Sequence, residues 1–380
     1  MGNISLMVCL LILPLVFPLK AQQQRTRELG INIGVLAPGQ YNAITDVPGV
    51  KVGHLTLEKG DSVRTGVTAI LPHGDNLFQE KVPAAVFTGN GFGKLVGTTQ
   101  IKELGTLESP IILTNTLSVA AGMEGVIDHL LNLPGNETVA SVNAVVGETN
   151  DGYLNDIRGR HVKPIHVKSA IESAQTGPIE EGAVGAGTGT VCFGFKGGIG
   201  TASRLLPQNL GGYTIGVLVQ TNFGGVLQIS GVNVGKEMEK FSFRDQIMEK
   251  SDGSCMIVIA TDAPLDSRNL ERLAKRAFMG LAKTGGIASN GSGDYVIAFS
   301  TAQQLRVQHE SANPLEEQSL LRNDLTSPTF MAAIEATEEA ILNSLFMGKT
   351  TTGMQGRTVE ALPLHLVLPI LRAHGAIEAN

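Results

Sequence analysis

"SDGSCMIVIATDAPL", residues 251–265, sets an Asp-Gly-Ser step at the mouth of an apolar run of the right length for a buried strand. Asp252-Gly253 before such a run is an ordinary turn signal. It is also a place where a chain can cut itself. The Ser254 hydroxyl can attack the carbonyl before it by an N-to-O acyl shift, and Gly253 tolerates backbone conformations that other residues resist. Cleavage would leave Ser254 as a chain terminus whose α-amine has a reference pKa of about 7.7–8.0. One residue would then supply both the nucleophile and the base. No other base is offered nearby, because the eight histidines are scattered and no G-x-S-x-G elbow occurs.

Outward from that run, short apolar stretches with turn residues at their ends recur at 139–146, 213–220, 256–260 and 295–299, each read as a buried strand. Residues 267–284 repeat Leu270, Leu273, Ala274, Ala277 and Leu281 on one helical face, with Gly285 placed to stop them. A second helix is expected from Ser327-Pro328 to about Met347, with Gly348 after it. The charged stretch 303–324 carries little periodicity. Buried strands alternating with amphipathic helices favour helices on both faces of stacked sheets over a barrel or an all-β sandwich.

With 46 glycines in 380 residues and only 17% charged, the chain is expected to be compact and rich in close backbone contacts. A net charge of −6 leaves no basic face for a phosphate backbone, so nucleic acid is not an expected partner. The apolar run 4–19 followed by polar residues reads as a signal peptide over 1–21, too short for a comfortable membrane span. The mature protein is therefore expected to be secreted or periplasmic, with no stable membrane association. Cys192 and Cys255 sit in apolar surroundings and are expected to be buried free thiols. No Cys/His cluster has metal-ligand spacing, and neither metal nor cofactor is expected.

The glycine-rich segment "GAVGAGTGTVCFGFKGGIGTASR", residues 182–204, is not a nucleotide cradle. Gly185, Gly187 and Gly189 give G-x-G-x-G, whereas the dinucleotide fingerprint is G-x-G-x-x-G, and no G-x-x-x-x-G-K-[ST] occurs. It reads as a close-packed loop.

These residues carry a resemblance. "APGQYNAITDVPGVKVGHLTL", "GETNDGYLNDIRGRHV", the glycine-rich segment, "LVQTNFGG", "DGSCMIVIATDAPL" and "SNGSGDYVIAFST" follow one another as they do in the β-aminopeptidase family, the L-aminopeptidase/D-esterase (DmpA-like) self-processing serine peptidases. The resemblance implies an α/β four-layer αββα sandwich, similar in shape to the N-terminal nucleophile hydrolases. It implies one domain cut into an α chain (22–253) and a β chain (254–380), with αβ units assembled into a homo-oligomer. Carried over by motif, Gly253 and Ser254 flank the cleavage site and Ser254 is the nucleophile. Ser292 and Asp294 support it, and Asn222 helps to hold the oxyanion. Tyr153 lines the site, and Glu148 is the candidate partner for a substrate ammonium. Cys255 departs from the aliphatic residue expected after the nucleophile.

The expected activity is that of an aminopeptidase or amidase releasing N-terminal amino acids from small peptides, amides or esters through an acyl-enzyme. An acyltransferase of the ornithine acetyltransferase type is the nearest alternative, although that class uses a threonine. A secreted binding protein without chemistry is the other.

Overall fold

The computed structural model describes residues 23–243 and 253–378. The signal segment 1–21 and Asp252 lie outside the described residues. In chain order the main elements are β1 (Lys51–Lys59), β2 (Val63–Leu71), β3 (Glu80–Gly91), β4 (Leu95–Val96), β5 (Ile111–Asn115), α1 (Val119–Leu131) and β6 (Val145–Thr149). There follow α2 (Pro164–Glu172), β7 (Ile199–Leu205), β8 (Thr214–Asn222), β9 (Ser254–Thr261), α3 (Ser267–Lys283), β10 (Gly293–Ser300) and α4 (Ser327–Phe346).

The strands form two sheets. One has the order β1-β2-β5-β6-β4; the other runs β7-β8-β9-β10-β3, with two-residue strands at Thr106–Leu107 and Val307–Gln308 on its margin. Each sheet contains one parallel pair joined through a helix, β5-α1-β6 in the first and β9-α3-β10 in the second. All other pairings are antiparallel.

Three cores separate four layers. Alternate residues of β9 point to opposite faces. Met256, Val258 and Ala260 meet Ile111, Leu113 and Val145 between the sheets, while Cys255, Ile257 and Ile259 pack under α3 and α4. On the far side, Val126, Leu130, Val167 and Ala170 of α1 and α2 cover Val67, Ala69 and Ile112. This is the αββα sandwich, and it explains why β9 reads as continuously apolar: both of its faces are covered. Arg204, the last residue of the glycine-rich motif, is fully buried on the helix side. Its Nε lies 3.0 Å from Glu335 Oε2 and its Nη2 2.7 Å from Glu339 Oε2, both on α4, so the motif is anchored to the outer helix.

Three of the four expected strands form, with their ends shifted by a residue or two: Thr214–Asn222, Ser254–Thr261 and Gly293–Ser300. The fourth, 139–146, is corrected. Pairing starts only at Val145. Val139 and Val142 instead pack half-buried against the α1/α2 core, and the backbone N–H and side chain of Asn143 both donate to Glu108 Oε1 at 2.9 Å. Apolar residues there cap a core rather than join a ladder. Among the described residues no helix is long and apolar enough to cross a membrane.

Candidate active site

The site forms where three strands of the larger sheet end together. Asn222 closes β8 directly opposite Ser254, which opens β9, and Gly293 opens β10 in parallel register beside Ser254. By the alternation of β9, Ser254 shares the inter-sheet face with Met256, and Cys255 takes the helix face. From the other sheet, β6 brings Glu148 to the same place. Ser254, Gly253, Asn222, Glu148 and Tyr153 all line one cavity of about 820 Å³, a volume suited to a small substrate. Gln220 Nε2 stitches the two sheets together just inside it, donating to Thr114 O at 3.1 Å and Thr149 Oγ1 at 2.9 Å.

The bond before Ser254 is gripped at its carbonyl. The Ser254 hydroxyl donates to Gly253 O at 2.6 Å, and the Gly293 N–H donates to the same oxygen at 3.2 Å. The Gly293 N–H also approaches Ser254 Oγ at 3.4 Å. A donor fixed on that oxygen is the feature needed to hold charge when a hydroxyl attacks its carbon. Sequence reading missed this group, because a backbone N–H leaves no mark in residue type. At Gly253 the surroundings give a packing reason for glycine beside the conformational one. Glycine is required by space, since a Cβ there would lie 2.9 Å from Phe223 Cα and 3.2 Å from Asn222 O.

Asn222 is oriented by the glycine-rich segment. Its Oδ1 accepts from the Val191 N–H at 3.0 Å, which fixes the amide and leaves Nδ2 as its free end, with no partner among the described residues. Val191 is itself held by a tightly packed loop in which Lys196, fully buried, donates from Nζ to Gly187 O at 2.8 Å and Gly197 O at 2.7 Å. Burial lowers the Lys196 pKa to about 7. The lysine was not singled out in the sequence; only its burial reveals that it pins the loop.

Glu148 is 2% exposed. Its Oε1 accepts from the Lys94 N–H at 2.9 Å and lies 4.0 Å from Lys94 Nζ, and its Oε2 accepts from the Thr116 hydroxyl. Tyr153 stands on the rim, 52% exposed, with the Arg357 guanidinium 5.2 Å from its ring centroid. Ser292 and Asp294 do not line the cavity. The Ser292 hydroxyl donates to Asp294 Oδ1 at 2.8 Å, and Asp294 sits in register with Cys255 on the helix face, behind the strand that carries Ser254. Burial raises the Asp294 pKa to about 6 against the opposing Ser292 hydrogen bond, and its Oδ2 has no partner among the described residues. Cys192 and Cys255 are free and buried; burial pushes the first thiol up to about 12 and the second well above its ordinary value, so neither is a nucleophile at neutral pH.

Behind the loop that carries Tyr153, Asp151 accepts from Asn155 Nδ2 at 2.9 Å and is otherwise enclosed. Burial pushes its pKa from 3.8 to about 7, against hydrogen bonds from Thr65 and Asn155. The folded chain therefore keeps a proton that the unfolded chain releases, and stability falls as pH rises between about 4 and about 7. Asp151→Asn is expected to shrink the loss of Tm between pH 5 and pH 8. An unchanged Tm difference in a thermal melt series would reject this account of Asp151.

The family model for peptidase family S58 matches residues 42–359. The chain belongs to that family. Peptidase S58 relatives cover nearly its whole length: Beta-peptidyl aminopeptidase BapA of Sphingosinicella microcystinivorans is 41% identical, with 94% of each chain aligned. A β-aminopeptidase structure from Burkholderia sp. shares 43% identity and a TM-score of 0.85, covering 93% of this chain and 99% of that one. The L-aminopeptidase D-Ala-esterase/amidase of Ochrobactrum anthropi, described as a variant of the Ntn hydrolase fold, shares 35% identity and a TM-score of 0.85 over 93% and 99%. This S58 chain is accordingly a peptide-bond hydrolase of the N-terminal-nucleophile type, and the match favours hydrolysis over the acyltransferase alternative.

Proposed function

We propose that this S58 peptidase cuts its own Gly253–Ser254 bond and then works as an aminopeptidase with Ser254 as N-terminal nucleophile. The observation that carries the reading is the shared cavity: the Gly253 carbonyl held by the Ser254 hydroxyl and the Gly293 N–H, facing a buried carboxylate at Glu148. In maturation the Ser254 hydroxyl adds to the Gly253 carbonyl, the C–N bond breaks to give an ester, and water releases the 22–253 chain from the 254–380 chain. In turnover the freed α-amine takes the hydroxyl proton, and Ser254 Oγ adds to the substrate carbonyl. Asn222 Nδ2 and the Gly293 N–H hold the oxyanion, with Tyr153 at the rim. The protonated amine then gives its proton to the leaving nitrogen, and water hydrolyses the ester. Ser292 and Asp294, one strand over, keep the region around the new terminus polar.

The substrates are peptides, amides or esters with a free N-terminal amine, which Glu148 receives as ammonium. β-Amino acids are included, by similarity to the β-peptidyl aminopeptidases. Export rests on the apolar run 4–19, and assembly of αβ units into a homo-oligomer rests on the family resemblance.

Acetylating the substrate amine removes the charge that the buried Glu148 carboxylate would receive and leaves it with only the distant Lys94 ammonium, so turnover of an N-acetyl p-nitroanilide should fall roughly 10²-fold or more below that of its free-amine form. Glu148→Gln should erase most of that discrimination. Equal wild-type rates on the two substrates would reject the aminopeptidase reading, and discrimination that survives Glu148→Gln would clear Glu148 of the role.

A further inference from the structure

The cavity is lined by charged side chains that the chemistry above does not use. Glu148 and Lys94 stand at the β10 side of Ser254: a Cβ on Gly93 would lie 3.0 Å from Gly293 Cα and 3.1 Å from Glu148 Oε1. At the β8 side, beyond Asn222 and Val191, two further cations line the same cavity, Lys240 and Arg357. Neither has an acidic partner within ion-pair distance among the described residues. Lys240 is half-buried, with Nζ 3.9 Å from the Phe195 ring centroid and no hydrogen bond among the described residues. Burial lowers its pKa, and Glu360, which lines the same cavity, opposes that shift from beyond ion-pair distance. Arg357 spends Nη1 on Tyr153 O at 3.3 Å and Nη2 on Gln355 Oε1 at 2.7 Å, which orients the guanidinium and leaves donors over.

Two other half-buried cations meet carboxylates. Lys81 lies 3.4 Å from Glu108, and Arg306 is 2.8 Å from Glu80. Holding two partly desolvated cations with no ion-paired acid among the described residues is unfavourable, and an anion entering the cavity would relieve it. Glu148 and Lys94 line the cavity near Gly293, and Lys240 and Arg357 line it together with Glu360. A dipeptide with its ammonium at Glu148 and its carbonyl at Ser254 turns its own α-carboxylate toward Lys240 and Arg357.

We propose that Lys240 and Arg357 form a subsite for the free carboxylate of the residue that leaves, which tunes the enzyme to dipeptides and other very short peptides over amides. The proposal rests on the aminopeptidase reading and adds the leaving-group end of the substrate. Its rival occupant is internal: the carboxylate created at Gly253 by self-cleavage, which lies in the same cavity.

The test uses the processed two-chain protein with alanyl and β-alanyl dipeptides and the C-terminal amides of the same dipeptides. The quantity read is the ratio of kcat/KM for acid over amide. Wild type should favour the acid by about tenfold, chiefly through KM, and the ratio should shrink with added salt. Lys240→Met and Arg357→Gln should each bring the ratio toward one, and Lys240→Arg should restore it. A wild-type ratio of one overturns the proposal and points to the Gly253 carboxylate as occupant. A tenfold ratio that both neutral variants keep also overturns it. Turnover of neither dipeptide nor amide would sink the aminopeptidase reading itself, and the carboxylate subsite with it.

Discussion

Ser254→Ala yields a single uncut chain with no measurable turnover of amides or esters. The expectation follows from one side chain having two successive roles. In the uncut protein the Ser254 hydroxyl already donates to the Gly253 carbonyl oxygen at 2.6 Å, adjacent to the carbon it must attack. Alanine leaves β9 intact, since position 254 is only the first residue of a strand paired on both sides. The variant should therefore fold and remain full length after signal removal. The α-amine never forms, so base and nucleophile disappear together. No nearby thiol can substitute, because Cys255 faces the helix layer and burial holds it protonated. Mass spectrometry reads the outcome directly: wild type gives two fragments meeting at Gly253 and Ser254, the variant gives one. Two fragments from the variant would end the self-cleavage hypothesis.

Asn222→Ala lowers kcat by roughly 10²–10³-fold with a smaller change in KM, the loss expected of one oxyanion donor. Its Oδ1 is committed to the Val191 N–H, so Nδ2 is the end available to a developing charge. Asn222→Asp separates the two ends. It keeps an acceptor for Val191 but replaces the donor with an oxygen, and should be at least as inactive as the alanine variant. A change confined to KM would move Asn222 from charge stabilisation to substrate binding. Each variant needs a check of processing first, because the same oxygen is polarised during self-cleavage.

Much of the scaffold was legible in the order of residues. The strands 213–220, 256–260 and 295–299 and the helices 267–284 and 327–347 show themselves because each is a run of apolar residues at a fixed period, bounded by glycine, proline or a turn residue. The segment 139–146 has the same local texture and fails, since Glu108 takes the polar groups of Asn143 and the valines cover a helix core. Local pattern reports which residues want burial; it does not report what buries them.

The sequence by itself determined that Ser254 follows a glycine at the start of a doubly buried strand, that no histidine stands near it along the chain, and that Glu148, Asn222, Ser292 and Asp294 stand in recognisable motifs. These are properties of residue type and spacing, and the unfolded chain carries them. Tertiary structure alone decided which of those residues meet. Glu148 comes from one sheet and Ser254 from the other, so their shared cavity exists only once the two faces stack. Strand alternation turned Asp294 to the opposite face from Ser254, a fact hidden until the register of β9 and β10 was set. The Gly293 N–H on the Gly253 carbonyl, the packing of Phe223 against Gly253, and Lys240 and Arg357, which line the cavity with no ion-paired acid among the described residues, are likewise products of the fold, because backbone donors, close contacts and distances between charges are relations in space with no local signature in the chain.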